Sequence, residues 1–309
     1  MRMIRYYIFF CAKKNIITSF LEQFERTQRG IFLKNTSTDP TPVYDSAALV
    51  SPFIDEIKSL FSHWFLLRRM IYTNFKVRYK RSYLGVIWSL LNPLLNMIVF
   101  MVVFSQLFRF QIPHYPLYIL SGNMIFTFFS SSTAEAMMQI LYNATMIRRV
   151  YLPKTIYILA GIGINAINLI LTFIPFLLIA LIDHLQLSVQ MMMIFPALLL
   201  LSCFVIGMSL IVATITPYLN DFSQIWGVII TLWTYLTPLF YPVDIIPERL
   251  LPLYKLNPMY VYVTLFRDPI LYQSISPLSL WMQGLGYSTA FLFFGWWLFT
   301  KNSNEFAYR

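Results

Sequence analysis

Four small or polar residues stand at helical spacing inside a stretch of the chain, residues 84–108, that carries no charge. Their spacing of i, i+4, i+7 and i+11 puts them on one face of a helix. They are Gly85, Ser89, Asn92 and Asn96. An unpaired amide in hydrocarbon costs about 2–7 kcal/mol, so this face must turn toward protein or water. Hydrogen bonding between helices and the wall of a polar pathway both explain it.

A second polar stripe with the same spacing lies farther along the chain. It consists of Gly161, Asn165, Asn168 and Thr172. The same two interpretations, hydrogen bonding between helices and a pathway wall, apply to it.

An aromatic stripe recurs at steps of 4, 7 and 7, which also returns to one helix face. It consists of Phe222, Trp226, Trp233 and Phe240. Aromatic rings stack on the apolar faces of sugars, and tryptophan N–H groups donate to hydroxyls, so the stripe would suit a saccharide channel. The alternative is packing against other helices or against lipid.

Little in the sequence would make or break covalent bonds. It lacks a G-x-x-x-x-G-K-[ST] phosphate loop, and its three histidines lack the spacing of metal ligands. We therefore predict no catalytic site, no metal and no cofactor in this chain. A membrane glycosyl- or acyltransferase would need paired carboxylates, for which Asp244, Glu248 and Asp268 are the candidates. A secondary transporter would need mid-membrane carboxylates, and Glu135 could serve there or form an ion pair near the interface.

Long apolar windows define the elements that must position these residues. Hydrophobic residues make up 58% of the chain and charged residues 12%, with a mean hydropathy of +0.63. About 20 apolar residues span a bilayer as a helix, so the sequence predicts an all-α integral membrane protein with six spans. The windows are Leu84–Phe108, Tyr115–Tyr142, Thr155–Ile182, Leu185–Asn220, Phe222–Val243 and Pro269–Thr300.

The basic residues set the orientation. Six spans leave most of the flanking Lys and Arg on one side, which the positive-inside rule assigns to the cytoplasm together with both termini. The inner set is Arg68, Arg69, Lys76, Arg78, Lys80, Arg81, Arg148, Arg149, Lys154, Lys301 and Arg309, and the outer set is Arg109, Arg249, Lys255 and Arg267. The net charge of +10 is thus explained by membrane lipid, and we expect no nucleic-acid partner.

Three regions divide the chain. We interpret residues 1–52 as an interfacial or disordered N-terminal extension. Residues 53–83, rich in aromatic and basic side chains, predict an amphipathic helix along the cytoplasmic membrane surface. Residues 84–309 form the six-span domain. Within it, the seven prolines of Tyr235–Pro277 exclude one continuous helix, and short re-entrant or interfacial helices on the outer side fit best.

Four stretches occur in the order found in a known family. They are Arg78–Pro93 at the entry to the first span, Met146–Lys154 after the second, Leu256–Arg267 with its Asn-Pro pair, and Asn304–Arg309 at the end. Over Phe65–Arg309 the chain resembles the ABC-2 type permeases, or type V exporters, that export O-antigens, capsular polysaccharides and teichoic acids.

The resemblance implies a homodimer in the bacterial cytoplasmic membrane, joined to two copies of a cytoplasmic ABC ATPase that holds the ATP and Mg²⁺. The substrate would be a lipid-linked polysaccharide that passes through a channel at the dimer interface, lined by the first and fifth spans. The implied ATPase-coupling residues are Arg78, Lys80, Arg81, Met146, Ile147, Arg148, Arg149, Val150, Tyr151, Leu152, Pro153 and Lys154. The channel would be lined by the first polar stripe and the aromatic stripe. An outer gate would include Tyr241, Pro242, Asn257, Pro258, Tyr260 and Arg267.

Overall fold

Uncharged windows of this length fold as helices because a backbone in lipid must satisfy its own hydrogen bonds. The computed structural model describes residues 52–80, 85–107, 112–143, 152–186, 188–219 and 221–302. Within those ranges every regular element is helical. The protein is therefore all-α over the part that the structure describes.

Each of the six predicted windows contains a helix, and further helices lie before the first window and between the last two. They are α1 Pro52–Ser62, α2 Trp64–Tyr79, α3 Ile87–Met101 with a wider helical turn Val102–Leu107, α4 Tyr115–Tyr142, α5 Thr155–Ile182, α6 Ile194–Ile215 after the turn Val189–Met193, α7 Phe222–Leu236, α8 Leu251–Lys255, α9 Pro258–Leu271 and α10 Leu278–Asn302.

Three helical segments of the described chain are both long and apolar enough to cross a membrane. They are Ile87–Phe104, Thr155–Ile182 and Val189–Ile215. The helices α4 and α10 have 28 and 25 residues but more polar sequences, and α7 has 15 residues, or about 22 Å at 1.5 Å per residue.

Several predicted boundaries are wrong. The fifth window extends to Val243, but α7 ends at Leu236, just before Pro238 removes a donor from the helical ladder. The sixth window begins at Pro269, but that proline lies inside α9, and α10 starts only at Leu278. The single surface helix predicted over residues 53–83 is divided at His63 into α1 and α2.

Helix α4 lies at the centre of the core and packs against α3, α5, α6, α7 and α9. Helices α6 and α10 also pack closely, because glycines let their two backbones come into contact. A Cβ atom on Gly295 would lie 2.2 Å from the Gly207 carbonyl oxygen, and one on Gly207 would lie 2.3 Å from the Phe291 carbonyl oxygen. Small residues at such crossings permit tight packing in membranes.

The two ends of the bundle differ. One end carries the Lys and Arg residues of α2, and we call it the basic end. There, α1 and α2 contact α4, α5 and the end of α10. Thr300 of α10 donates to Glu56 of α1 at 2.8 Å. The opposite end, which we call the proline-rich end, holds residues 237–277. There His114 Nδ1 lies 2.6 Å from Asp183 Oδ2, joining the start of α4 to the end of α5.

Candidate functional site

A polar cavity of about 620 Å³ opens at the basic end. Its walls come from the end of α2, the start of α3, the middle and second half of α4, the middle of α5 and the start of α7. Its polar lining consists of Arg78, Tyr79, Ser89, Asn92, Thr127, Ser131, Glu135, Asn165, Asn168, Thr172 and Ser223. The fold thus joins both predicted polar stripes, which are far apart in sequence, in one place.

An ion pair crosses the cavity. Arg78 Nη2 donates to Glu135 Oε2 at 2.8 Å, and Arg78 Nη1 donates to Asn165 Oδ1 at 3.3 Å. Gln139 Nε2 donates to the second Glu135 oxygen at 2.8 Å. The ion-pair interpretation of Glu135 is therefore confirmed. Arg78, predicted as an ATPase-coupling residue, faces this cluster with about a third of its side chain exposed.

The polar stripe of α5 faces α2 and α4. Tyr79 donates its hydroxyl to Asn168 at 2.9 Å, while Thr172 donates to a carbonyl of its own helix. Gly161 provides room, since a Cβ atom there would lie 2.9 Å from Glu135 Cγ. Hydrogen bonding between helices thus accounts for part of this stripe, and the cavity wall accounts for the rest.

In the polar stripe at the start of α3, the side chains of Ser89, Asn92 and Asn96 bond within their own helix and the turn before it. Ser89 donates to the Val86 carbonyl at 2.6 Å, and Asn96 donates to Asn92 at 3.4 Å. Ser89 and Asn92 line the cavity, while Asn96 is exposed. Gly85 precedes the helix with φ = 48°, a backbone conformation that favours glycine.

Most of the aromatic stripe packs within the subunit. Phe222 and Trp226 are buried, and Trp226 Nε1 donates to Thr133 at 3.1 Å. Trp233 is partly buried beside Phe129, with ring centroids 5.0 Å apart.

The prediction that Phe240 continues the helical stripe is wrong, because α7 ends at Leu236. Phe240 is buried and stacks on Phe100, with centroids 4.0 Å apart. These contacts favour the packing interpretation, and channel lining remains a prediction.

Part of the predicted ATPase-coupling segment is described. Leu152, Pro153 and Lys154 lead into α5 and are partly buried, and Lys80 is exposed at the end of α2. Burial lowers the pKa of the Lys154 ammonium, and the charge of Glu56 opposes that shift. Arg81, Met146, Ile147, Arg148, Arg149, Val150 and Tyr151 lie outside the described residues.

At the proline-rich end, Asn257 links three segments. Its side chain caps α9 by accepting from the Met259 amide at 3.0 Å, and it accepts from Trp233 Nε1 at 2.7 Å. Its Nδ2 donates to the Leu236 carbonyl at 3.1 Å and to Thr237 at 3.0 Å. This predicted gate residue therefore fixes the end of α7 to the start of α9.

Arg267 occupies the interior of the same end and is 4% exposed. Its guanidinium donates to the carbonyls of Tyr118, Pro238 and Leu239 at 2.7–2.8 Å and to the Ser121 hydroxyl at 3.2 Å. It also lies 3.7 Å from the centre of the Tyr118 ring. Arg267 belongs to the predicted outer set of cations and to the predicted gate, and the structure shows that its side chain is enclosed by protein at the proline-rich end.

The remaining predicted gate residues lie around this core. Tyr241 donates its hydroxyl to the Tyr235 carbonyl at 2.6 Å, and burial raises its pKa. Pro242 precedes a short helical turn, Pro258 is the first residue of α9, and Tyr260 is partly buried on that helix.

The structure contains two contacts that the sequence did not predict. The His114–Asp183 pair was not predicted because the two residues are 69 positions apart and Asp183 looked like a solvated loop charge. Tyr262, fully buried in α9, contacts Ser288 of α10 at 2.7 Å, and no sequence spacing marks that bond. The described residues include no group of three or more metal-ligating side chains.

The helical architecture and its apolar spans are those of an integral membrane protein. Residues 66–271 match the family described as ABC-2 type transporter, and the chain belongs to that family. It is 27% identical to the O-antigen export system permease protein RfbA of Klebsiella pneumoniae over 194 residues, 62% of this chain and 75% of that protein. It is also 27% identical to the O-antigen export system permease protein RfbA of Myxococcus xanthus over 215 residues, 68% and 82% of the two chains.

Proposed function

We propose that this chain is the permease subunit of an ABC transporter that exports a lipid-linked polysaccharide of the O-antigen type across the bacterial cytoplasmic membrane. The observation that carries the proposal is its similarity to O-antigen export permeases over 75–82% of their length. The chain performs translocation and has no catalytic site of its own.

The proposed topology has six spans with both termini in the cytoplasm. It is supported by a helix in each of the six predicted windows and by the concentration of Lys and Arg at the basic end. Burial of Arg267 removes one cation from the opposite surface, which strengthens that asymmetry. The short α8 and α9 serve as the re-entrant pair on the outer side.

Energy comes from a separate ATPase, because the sequence lacks a phosphate loop. Two ATPase subunits, holding ATP and Mg²⁺, dock on a homodimer of this chain at Met146–Lys154 and the adjoining surface of α2. Leu152–Lys154 lead directly into α5, whose Asn165 and Asn168 bond to α2. A movement of the Met146–Lys154 segment would therefore be transmitted to the cavity through α5.

The exported chain passes between the two subunits. Both α3 and α7 leave apolar side chains exposed, among them Val99 at 57% and Val228 at 71%, which suits a face that meets a second copy or the substrate. The segment 235–277 acts as the outer gate. Asn257 and Arg267 hold residues 236–239 and the start of α9 in place, so the part between residues 242 and 256 is the part that moves.

Deleting the coding sequence in its own host tests the proposal. We expect the surface polysaccharide to disappear and its lipid-linked form to accumulate inside the cell, with both effects reversed by the restored chain. An ATPase subunit is expected to co-purify with the tagged permease. Normal surface polysaccharide in the deletion strain would contradict the proposal, and transport that persists after ATP depletion but follows an ion gradient would favour a secondary transporter.

The docking surface has its own test. Reversing Arg148 and Arg149 to Glu places negative charge on the proposed contact, so we expect less ATPase to co-purify while membrane insertion is unchanged. The matched control reverses Arg249 and Lys255, two exposed cations at the proline-rich end, away from the proposed contact. Equal ATPase recovery from the Arg148 and Arg149 variant and from the wild type would remove this interface.

A further inference from the structure

One buried amide donor in the cavity wall has no partner among the described residues. Asn165 is 4% exposed, and its oxygen accepts from Arg78, but its Nδ2 makes no hydrogen bond there. Buried polar groups are almost always paired, and a buried exception in a cavity wall marks a position where a bound molecule supplies the acceptor. The cavity therefore has a built attachment point.

The charge of the cavity selects the kind of molecule. Its charged lining residues, within the described chain, are Arg78 and Glu135, and they neutralise each other at 2.8 Å. A phosphate or pyrophosphate group needs cations that are not already paired with a carboxylate. The described wall instead suits a neutral ligand with several hydroxyl groups.

The rest of the wall matches sugar chemistry. Amides of Asn92 and Asn168 and the hydroxyl of Thr127 present donors and acceptors, and the rings of Tyr79 and Trp88 lie beside them. Aromatic rings pack on the C–H faces of sugars while amides bond to the hydroxyls. The volume of about 620 Å³ falls within the range of small-molecule sites.

We propose that this open cavity, whose described lining comes from one subunit, binds one or two neutral sugar residues of the glycan, with Asn165 Nδ2 donating to a sugar hydroxyl. This proposal rests on the proposed function, which supplies the glycan. It adds a recognition site at the basic end, where the lipid-linked substrate is first available. The permease thereby selects its glycan before the glycan enters the path between the two subunits.

Thiol protection in the assembled transporter tests the site. With Cys11 and Cys203 replaced by Ser, Ser131→Cys places a thiol in the cavity wall, and Lys58→Cys places one on the exposed surface of α1 as a control. The complex with its ATPase, in inside-out vesicles, is labelled with a membrane-impermeant maleimide. The probe is the neutral oligosaccharide released from the host's surface glycan by mild acid, with inorganic pyrophosphate as the charged comparison.

We expect the oligosaccharide to slow labelling of Ser131→Cys several-fold, with no effect on Lys58→Cys and none from pyrophosphate. Equal protection by pyrophosphate, or protection by neither compound, would overturn the proposal. These outcomes are independent of export: a wild-type chain that exports polysaccharide but shows no protection keeps the proposed function and loses this site.

The donor role has a separate test in Asn165→Asp. This change keeps the size of the side chain and the oxygen that accepts from Arg78, and it replaces the unpaired donor. We expect several-fold weaker protection and slower export with unchanged complex yield. Wild-type protection in this variant would overturn the donor role. Should it insert poorly, Trp88→Leu, at a residue 46% exposed, must weaken the same protection.

Discussion

Two arginines at opposite ends of the bundle are held in different ways. Arg78 is about one-third exposed and is neutralised by the carboxylate of Glu135. Arg267 is buried, and its bonds go to three backbone carbonyls and one hydroxyl. Carbonyls from fixed backbone segments give a rigid setting, whereas an ion pair between two side chains near water can separate at small cost.

The contrast assigns different mechanical roles to the two ends. At the proline-rich end, Arg267 and Asn257 hold α4, the end of α7 and α9 together, so this part moves as a block. At the basic end, the polar contacts of Arg78 with α4 and α5 are made by long side chains that can re-form elsewhere. The adjustable region therefore lies beside the proposed ATPase contact.

The largest effect is expected for Arg267→Leu. It leaves several buried carbonyls without a donor, and removal of one partner from a buried charged network costs about 3–5 kcal/mol. We expect a sharp loss of folded protein, measured by thermal unfolding of the purified permease in nanodiscs. The control is Arg249→Leu, an exposed arginine of the same segment, which is expected to melt like the wild type. Equal melting temperatures of the two variants would contradict the rigid role given to Arg267.

A smaller effect at the same end is expected for Gly122→Ala. The added Cβ atom would lie 2.2 Å from Arg267 Nη2 and must displace it, and overpacking of this kind costs about 1–3 kcal/mol. Gly286→Ala, with nothing within 4 Å, is the matched control and is expected to be neutral or slightly stabilising. The measurement is the melting temperature of both variants. Equal values would mean that the Arg267 side chain does not lie against Gly122.

The basic end is expected to respond less. In a double-mutant cycle with Arg78→Leu and Glu135→Leu, the coupling free energy of this partly exposed pair is expected at about 0.2–1 kcal/mol. High salt should reduce it further. A coupling of several kcal/mol would mean that this end is as rigid as the surroundings of Arg267.

The smallest effect on export is expected between the two ends, for Trp226→Phe. The change keeps the buried ring and removes the bond to Thr133, worth about 0.5–1.5 kcal/mol. If Trp226 is a packing residue, polysaccharide export is unchanged when measured at equal protein level. A clear loss of export without a loss of stability would support the original channel-lining prediction.

Much of the helical architecture was predictable, since each uncharged window holds a helix. The ends of the helices were less so, because charge marks where a window stops, while prolines and caps decide where the helix stops. Pro238 follows the end of α7 in this way, and Pro277 comes directly before the start of α10.

The site was predictable only in part. Spacing placed Asn165 and Asn168 on one face, and that face does reach the cavity. The burial of Arg267 was not predictable because its partners are backbone carbonyls, which no residue pattern displays. Pairing of Arg78 with Glu135, 57 positions away, depended on how α2 lies across α4, and local sequence does not record that crossing.

The backbone contact between Gly207 and Gly295 offers a spectroscopic reference frame. Because α6 and α10 touch there with no side chain between them, neither can rotate or slide without a clash. Spin labels on these two helices are expected to keep one distance through the ATP cycle. A third label on α3 or α7, read against that fixed pair, would then measure how far each lightly packed helix travels as the transporter works.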